Sequence, residues 1–248
     1  MSGHSKWATT KHRKGAVDKA RGKLFAKLIR QVEVAAREGG GDVNANATLR
    51  TMFQKARDAS IPLDTIERAI KRGTGELEGV RYEAVSYEGY APGGVALIVE
   101  CLTDNRNRTG AEVRSTFSRN GGSMAEPGAV SWQFERKGVV MLPKTVAEDD
   151  LMAVALDAGA DDLSDEGDEW MLTAPPGELA RLRQALDEAS IAIEAAEVEL
   201  LPSSRVAVED EATARRVLKL IELLEDHDDV QNVWSNFDIP DAILESVE

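Results

Sequence analysis

The sequence predicts an α+β fold: an N-terminal three-helix bundle plus two ferredoxin-like α/β sandwich domains, the third domain inserted into the second. Three observations predict it. Apolar residues recur at helical spacing, without strand alternation, from about position 24 to position 70. Residues 138–200 then run through strand, helix, two strands, helix and strand, the βαββαβ order of a ferredoxin-like unit. That unit interrupts a shorter ββαβ run, which needs the helix and strand left at the C-terminal end to reach comparable size. A chain of 248 residues with 42% hydrophobic content also exceeds what one core usually serves. The expected organisation is a mobile basic arm (1–22), a three-helix bundle (23–75), a discontinuous α+β domain (76–137 plus 206–248) and an inserted acidic domain (138–205).

Taken in order, residues 1–22 hold few large apolar side chains, so their ordering entropy has little to offset it. Leu24, Phe25, Leu28, Ile29, Val32, Ala35 and Ala36 mark one face of a helix that Gly39-Gly40-Gly41 ends. Lys19, Lys23, Lys27, Arg30 and Arg37 fall on the opposite face. Leu49, Met52, Phe53 and Ala56 give a second helix, broken at Ser60-Ile61-Pro62. A third is expected from an Asp64 N-cap with Glu67 three residues on, ending at Gly73.

Residues 82–90 and 95–103 flank the turn Ala91-Pro92-Gly93-Gly94 and read as a hairpin. Asp104-Asn105 caps a helix over 106–119 that buries Gly110, Val113 and Phe117, and a strand is expected over 130–134. The inserted unit follows: a strand at 139–142, a helix through Leu151 and Ala155 ended by Gly159, a hairpin turning at 165–168, a helix through Leu182 and Leu186, and a strand over 191–200. Val217, Leu220, Ile221 and Leu224 mark the last helix, followed by a strand over 230–237.

Charge is unevenly spread. The net −14 divides into +9 over residues 1–72, near neutrality over 73–144 and −22 over 145–248. Residues 1–30 hold nine Lys/Arg against one acid, Asp18. A basic end on an acidic body points to an anionic partner for that end. Lys6, Lys11, Arg13, Lys14, Lys19, Arg21, Lys23, Lys27, Arg30 and Arg37 suit phosphate contacts, Arg in bidentate fashion and Lys as a point charge. Each such contact releases counterions and gives affinity without reading sequence. Trp7 either stacks on an exposed base or tucks onto the bundle. His12 sits within the basic run; with His4 it matches no metal spacing. Lys71 and Arg72 on the third helix, and Arg108 in the middle domain, extend the candidate nucleic-acid-binding set. The bundle is read either as a helix-turn-helix or as a structural unit with a basic rim; its third helix offers no Asn or Gln for adenine readout.

Other classes find little support. One cysteine, Cys101, excludes a disulfide framework and a multi-Cys zinc site. No apolar stretch spans a bilayer, and MSGHSKW has no apolar core of a secretory signal. Gly93-Gly94 precede a strand and form no phosphate-binding loop, and Asp162-Ser164-Glu166-Gly167 has Thr173 where a calcium loop needs Glu. No catalytic residue, metal site or cofactor is expected.

The motifs Gly3-His4-Ser5-Lys6-Trp7, Lys11-His12-Arg13-Lys14, Arg21-Gly22-Lys23-Leu24-Phe25, Arg68-Ala69-Ile70-Lys71-Arg72-Gly73-Thr74-Gly75, Tyr87-Glu88-Gly89-Tyr90-Ala91-Pro92-Gly93-Gly94 and Asp104-Asn105-Arg106-Asn107-Arg108-Thr109 resemble the YebC family, in order and along the whole chain. The resemblance implies a three-domain, cytoplasmic, DNA-binding transcriptional regulator. Other members of that family act in translation on the ribosome, relieving stalling on proline-rich stretches. The expected partner is therefore nucleic acid, either promoter DNA or ribosomal RNA, with no membrane and a monomeric state. A protein-interaction module built on the acidic domain is the alternative.

Overall fold

The computed structural model describes residues 18–247. Three helices open it: α1 (Asp18–Gly39), α2 (Ala47–Asp58) and α3 (Leu63–Thr74). Leu28, Val32, Ala35 and Ala36 of α1 pack against Leu49 and Ala56 of α2 and Ile66 and Ala69 of α3. Leu24, expected on the same face, is exposed. The reason is length: at 1.5 Å per residue, α1 reaches ~33 Å and its 12-residue partners ~18 Å, so the start of α1 projects beyond the bundle.

Asn46 joins two helix ends. Its side-chain oxygen caps α2 by accepting from Leu49 N (3.0 Å), while its amide donates to Ala35 O and Gly40 O. The N-cap of α3 lies two residues earlier than expected. Pro62 is its N-cap, and the Pro62 carbonyl accepts the N–H groups of Thr65 and Ile66, so Asp64 lies inside the first turn and does not cap. Its end also moves, to Gly75 at φ +83°. Gly73 is helical, and α1 crosses there: a Cβ at Gly73 would lie 2.4 Å from Glu33 O.

β1 (Glu83–Tyr90) and β2 (Ala96–Thr103) form the expected hairpin, from Glu83↔Thr103 to Tyr90↔Ala96. α4 (Arg106–Arg119) follows, capped by Asn105, then a short edge strand β3 (Ser123–Met124). The C-terminal segment returns as α7 (Glu211–Glu225) and β9 (Val230–Ser235), and the sheet order is β3-β1-β2-β9, all antiparallel. α4 and α7 cover one face. Val113 and Phe117 meet Val217, Leu220, Ile221 and Leu224 over Leu97, Val99 and Cys101. The connectivity departs from a ferredoxin-like unit, because the two central strands here are joined directly by the tight loop at 91–95.

The expected single strand over 230–237 is two. Asn236 interrupts it, fully buried, with its side chain accepting Ala96 N at 2.7 Å. Beyond it β10 (Phe237–Asp238) pairs in parallel with β8 (Val206–Ala207), and α8 (Asp241–Val247) seals the core with Leu244.

β4 (Phe134–Pro143), α5 (Glu148–Asp157), β5 (Asp162–Asp165), β6 (Glu169–Ala174), α6 (Leu179–Glu188) and β7 (Ala195–Pro202) make the second sandwich, in antiparallel order β5-β6-β4-β7. This is the βαββαβ arrangement, and its helices bury Leu151, Ala155, Leu182 and Leu186 on the sheet. The strands expected at 130–134 and 139–142 are one strand, which begins after a 3-10 turn at Ser131–Gln133. β7 begins at Ala195, later than expected, because Ser190 at φ 57° and the Ile191 N–Leu186 O bond first close α6. Ala96, Ile98 and Val130 pack with Phe134, Leu200 and Trp234, so the second sandwich covers the outer face of the first sheet.

Candidate nucleic-acid interface

Of the cationic face predicted along α1, the structure describes the side chains of Lys23, Lys27, Arg30 and Arg37. Lys6, Trp7, Lys11, His12, Arg13 and Lys14 lie outside the described residues, as do the side chains of Lys19 and Arg21. The remaining predicted positions are placed, and most of them meet acidic groups of this same chain.

Lys23, Lys27 and Arg30 face the turn that joins α7 to β9. Lys23 Nζ pairs with Asp226 Oδ1 and donates to Asp226 O (3.0 Å). Lys27 Nζ donates to Glu225 O (2.7 Å). Arg30 Nη1 donates to Asp228 O (2.7 Å) and to Asp229 Oδ1 (3.1 Å), and its guanidinium lies over the Tyr82 ring. These acceptors cluster at the C-terminal end of α7, where the helix dipole is negative. With Gln31, whose amide donates to Gln231 Oε1 (3.3 Å), the three cations join the bundle to the first sandwich. Gly22, Lys23, Ala26, Lys27, Arg30 and Asp228 line a cleft of about 310 Å³ at this junction.

Arg37 and Arg72, expected on the outer surface, converge instead on Glu33, a carboxylate only 3% exposed. Arg72 Nε lies 2.9 Å from Glu33 Oε2 and Arg37 Nη2 3.4 Å from Oε1; Arg37 also donates to Val80 O. Helical spacing placed Arg37 away from the apolar seam correctly, but the chain at 75–82 folds back over it. Lys71 is exposed.

Arg108 points away from the apolar face of α4, as its spacing predicts, and ends on Asp104 and Asp229, both at 2.8 Å. Asp229 is the hub that sequence reasoning missed. Its side chain is 5% exposed and accepts from Arg30, Arg108, Thr109 Oγ1 (2.7 Å) and Thr103 Oγ1 (3.3 Å). Burial alone raises its pKa; the hydrogen bonds from Arg108 and Thr109 and the charges of Arg108 and Arg30 outweigh that and hold it below the ordinary aspartate range. His227 completes the turn. Its Nδ1 accepts Asp229 N, which leaves Nε2 to donate to Glu112 at 2.8 Å. The available signal was the run Glu225-Asp226-His227-Asp228-Asp229 at a helix end, opposite in sign to α1.

The loop after β3 is organised by Glu88. Its buried carboxylate accepts the N–H groups of Gly128 (2.7 Å), Val130 (2.7 Å) and Ser131 (2.9 Å). The loop so held presents Trp132, 75% exposed, with its indole N–H donated to Ala129 O. Cys101 is buried in β2, and burial and the Asp229 charge push its thiol up to about 12. Among the described residues no cluster of His, Cys, Asp and Glu suits a metal ion, and no helix is long and apolar enough to cross a membrane.

Two family models match. One, described as the TACO1/YebC protein N-terminal domain, covers residues 5–76; the other, described as the TACO1/YebC second and third domain, covers residues 82–237. A probable transcriptional regulatory protein of Acidothermus cellulolyticus is 58% identical and one of Thermobifida fusca 55% identical, each aligned over the whole of both chains. The crystal structure of a conserved hypothetical protein from Aquifex aeolicus superposes with a TM-score of 0.83 at 47% identity, covering 92% of this chain and 94% of that one.

Proposed function

The chain belongs to the TACO1/YebC family, and on that premise we propose that it is a non-catalytic regulator of gene expression that works by binding nucleic acid. The observation that carries this reading is the segregation of charge: sixteen Lys/Arg against seven acids in residues 1–72, followed by a strongly acidic body. A cationic segment of this density takes a polyanion, and the acidic remainder discourages non-specific adherence elsewhere on the molecule. The relatives named as probable transcriptional regulatory proteins favour a regulatory role over a metabolic one.

The chemistry favours backbone contact over base readout. α3, the helix a helix-turn-helix would use, holds no Asn or Gln, and its Arg68 lies against Asp64 at 3.9 Å. Phosphate contacts alone fix position and carry no sequence information. Duplex DNA and ribosomal RNA are separated by promoter-fragment shifts against competitor RNA and by co-sedimentation with ribosomes at moderate salt.

Deleting residues 1–22 tests the reading itself. It removes Lys6, Lys11, Arg13, Lys14, Lys19 and Arg21, and one acid, Asp18. With all six cations on single-stranded phosphates, the slope of log K against log salt shrinks by about 4. Trp7→Ala leaves that slope unchanged and weakens binding to unpaired RNA by ~1–3 kcal/mol through lost stacking. A deletion variant with unchanged affinity and slope overturns the role of the N-terminal segment and favours the acidic domain as a protein-binding module.

A further inference from the structure

The cations best placed on α1 to receive phosphate are already in contact with carboxylates and carbonyls of the same chain. These contacts differ in depth. The Lys23–Asp226 pair is outermost, with side chains 29% and 68% exposed. Pairs of that exposure contribute about 0–1 kcal/mol, because water competes for both ions. The Arg30–Asp229 pair is innermost, at 21% and 5%, and Asp229 is also held by Arg108 and Thr109. Asp228 is exposed and lines the same cleft as Lys23, Lys27 and Arg30.

We propose that this cleft is a phosphate-binding site, and that the turn at 225–229 occupies its cations as an internal substitute for the nucleic-acid backbone. This rests on the nucleic-acid reading above and adds its regulation. A phosphodiester entering the cleft takes Lys23 from Asp226 and shares Lys27 with the end of α7. Arg30 stays on Asp229 and acts as the pivot. The exchange replaces a weak, solvated carboxylate contact with a phosphate contact that also releases counterions. Asp226 and Asp228 therefore lower affinity: the Asp226 carboxylate occupies Lys23 in the closed state, and both carboxylates repel the phosphate in the open one.

The test uses the full chain and a fluorescently labelled 16-nucleotide RNA, with a DNA duplex of equal length in parallel, followed by anisotropy at 50–200 mM salt. Asp226→Asn/Asp228→Asn removes the two exposed carboxylates of the turn. Asp149→Asn/Asp150→Asn makes the same change in net charge on α5 of the second sandwich, where both side chains are exposed. The turn variant is expected to bind about tenfold more tightly at 50 mM salt and the α5 variant within twofold of the unmodified chain. Amide exchange over residues 225–229 is expected to accelerate when RNA binds the unmodified chain. Equal gains in both variants, or no gain in the turn variant while the unmodified chain binds, overturn the proposal and leave the nucleic-acid reading standing. Absence of binding by every chain, with either ligand, overturns both.

Discussion

Glu88→Gln isolates the part of the first sandwich whose geometry depends on a single carboxylate. Glu88 Oε1 takes Gly128 N–H and Oε2 takes the N–H groups of Val130 and Ser131. Glutamine keeps one carbonyl oxygen. Turned towards Val130 and Ser131, it retains two bonds and sets its own NH2 against the Gly128 N–H. One charge-assisted bond is lost and two donors face each other, a cost of about 1.5–3 kcal/mol. For a chain of this size 1 kcal/mol moves the midpoint by roughly 2–4 °C, so about 2 kcal/mol gives roughly 4–8 °C in a thermal melt. Amide exchange at Gly128, Val130 and Ser131 should accelerate with it, since the loop opens locally before the sandwich unfolds. The same group makes the loop acid-labile. Burial pulls the Glu88 carboxyl upward, but its three N–H bonds outweigh burial and hold it below the ordinary glutamate value of about 4.3. Its contribution is therefore complete above that ordinary value and is lost as pH falls through the lower folded value. An unchanged melt with unchanged exchange at Val130 would refute the assignment of Glu88 as the loop anchor.

Gly73→Ala puts a methyl 2.4 Å from Glu33 O and 2.8 Å from Ala36 Cβ, and should destabilise the bundle by about 1–3 kcal/mol in chemical denaturation; no change would mean that α1 and α3 do not cross there. Cys101, with its thiol pushed up to about 12, should resist iodoacetamide at pH 8 in the native chain and react on unfolding, whereas labelling at the rate of a free thiol would contradict its burial. Excision of residues 134–202 tests whether the second sandwich is a separable insertion. Ser203 N lies 2.7 Å from Gln133 O, so the cut ends meet and a short Gly/Ser link should leave a remainder that unfolds cooperatively; its failure to do so would refute the insertion.

Much of this fold is legible because periodicity reports burial directly. Val113 and Phe117, Leu182 and Leu186, and Val217, Leu220, Ile221 and Leu224 are buried where their spacing puts them. Most of the errors fall where a tertiary partner decides. The start of α3 is a local exception: Pro62 caps it with no side-chain bond, so the Asp64–Glu67 pattern points two residues too late. Gly73 looks like a helix end because it is small, when it is small so that α1 can cross. Asn236 splits a strand by answering Ala96, 140 positions away. The candidate site divides the same way. Charge counting found Lys23, Lys27 and Arg30, since cation density is a local property. It missed Asp229, because an acid in an acidic helix end carries no sign that Thr103, Thr109, Arg30 and Arg108 converge on it.

The central claim is that nucleic acid meets this chain through its cationic N-terminal part and not through the acidic body. Lysine acetylation with and without a bound 16-nucleotide RNA, read residue by residue, tests it most directly. Protection is predicted at Lys6, Lys11, Lys14, Lys19, Lys23 and Lys27, with Lys144 and Lys219 unchanged. Protection confined to Lys144 and Lys219, or absent from the first thirty residues while RNA is bound, would contradict it.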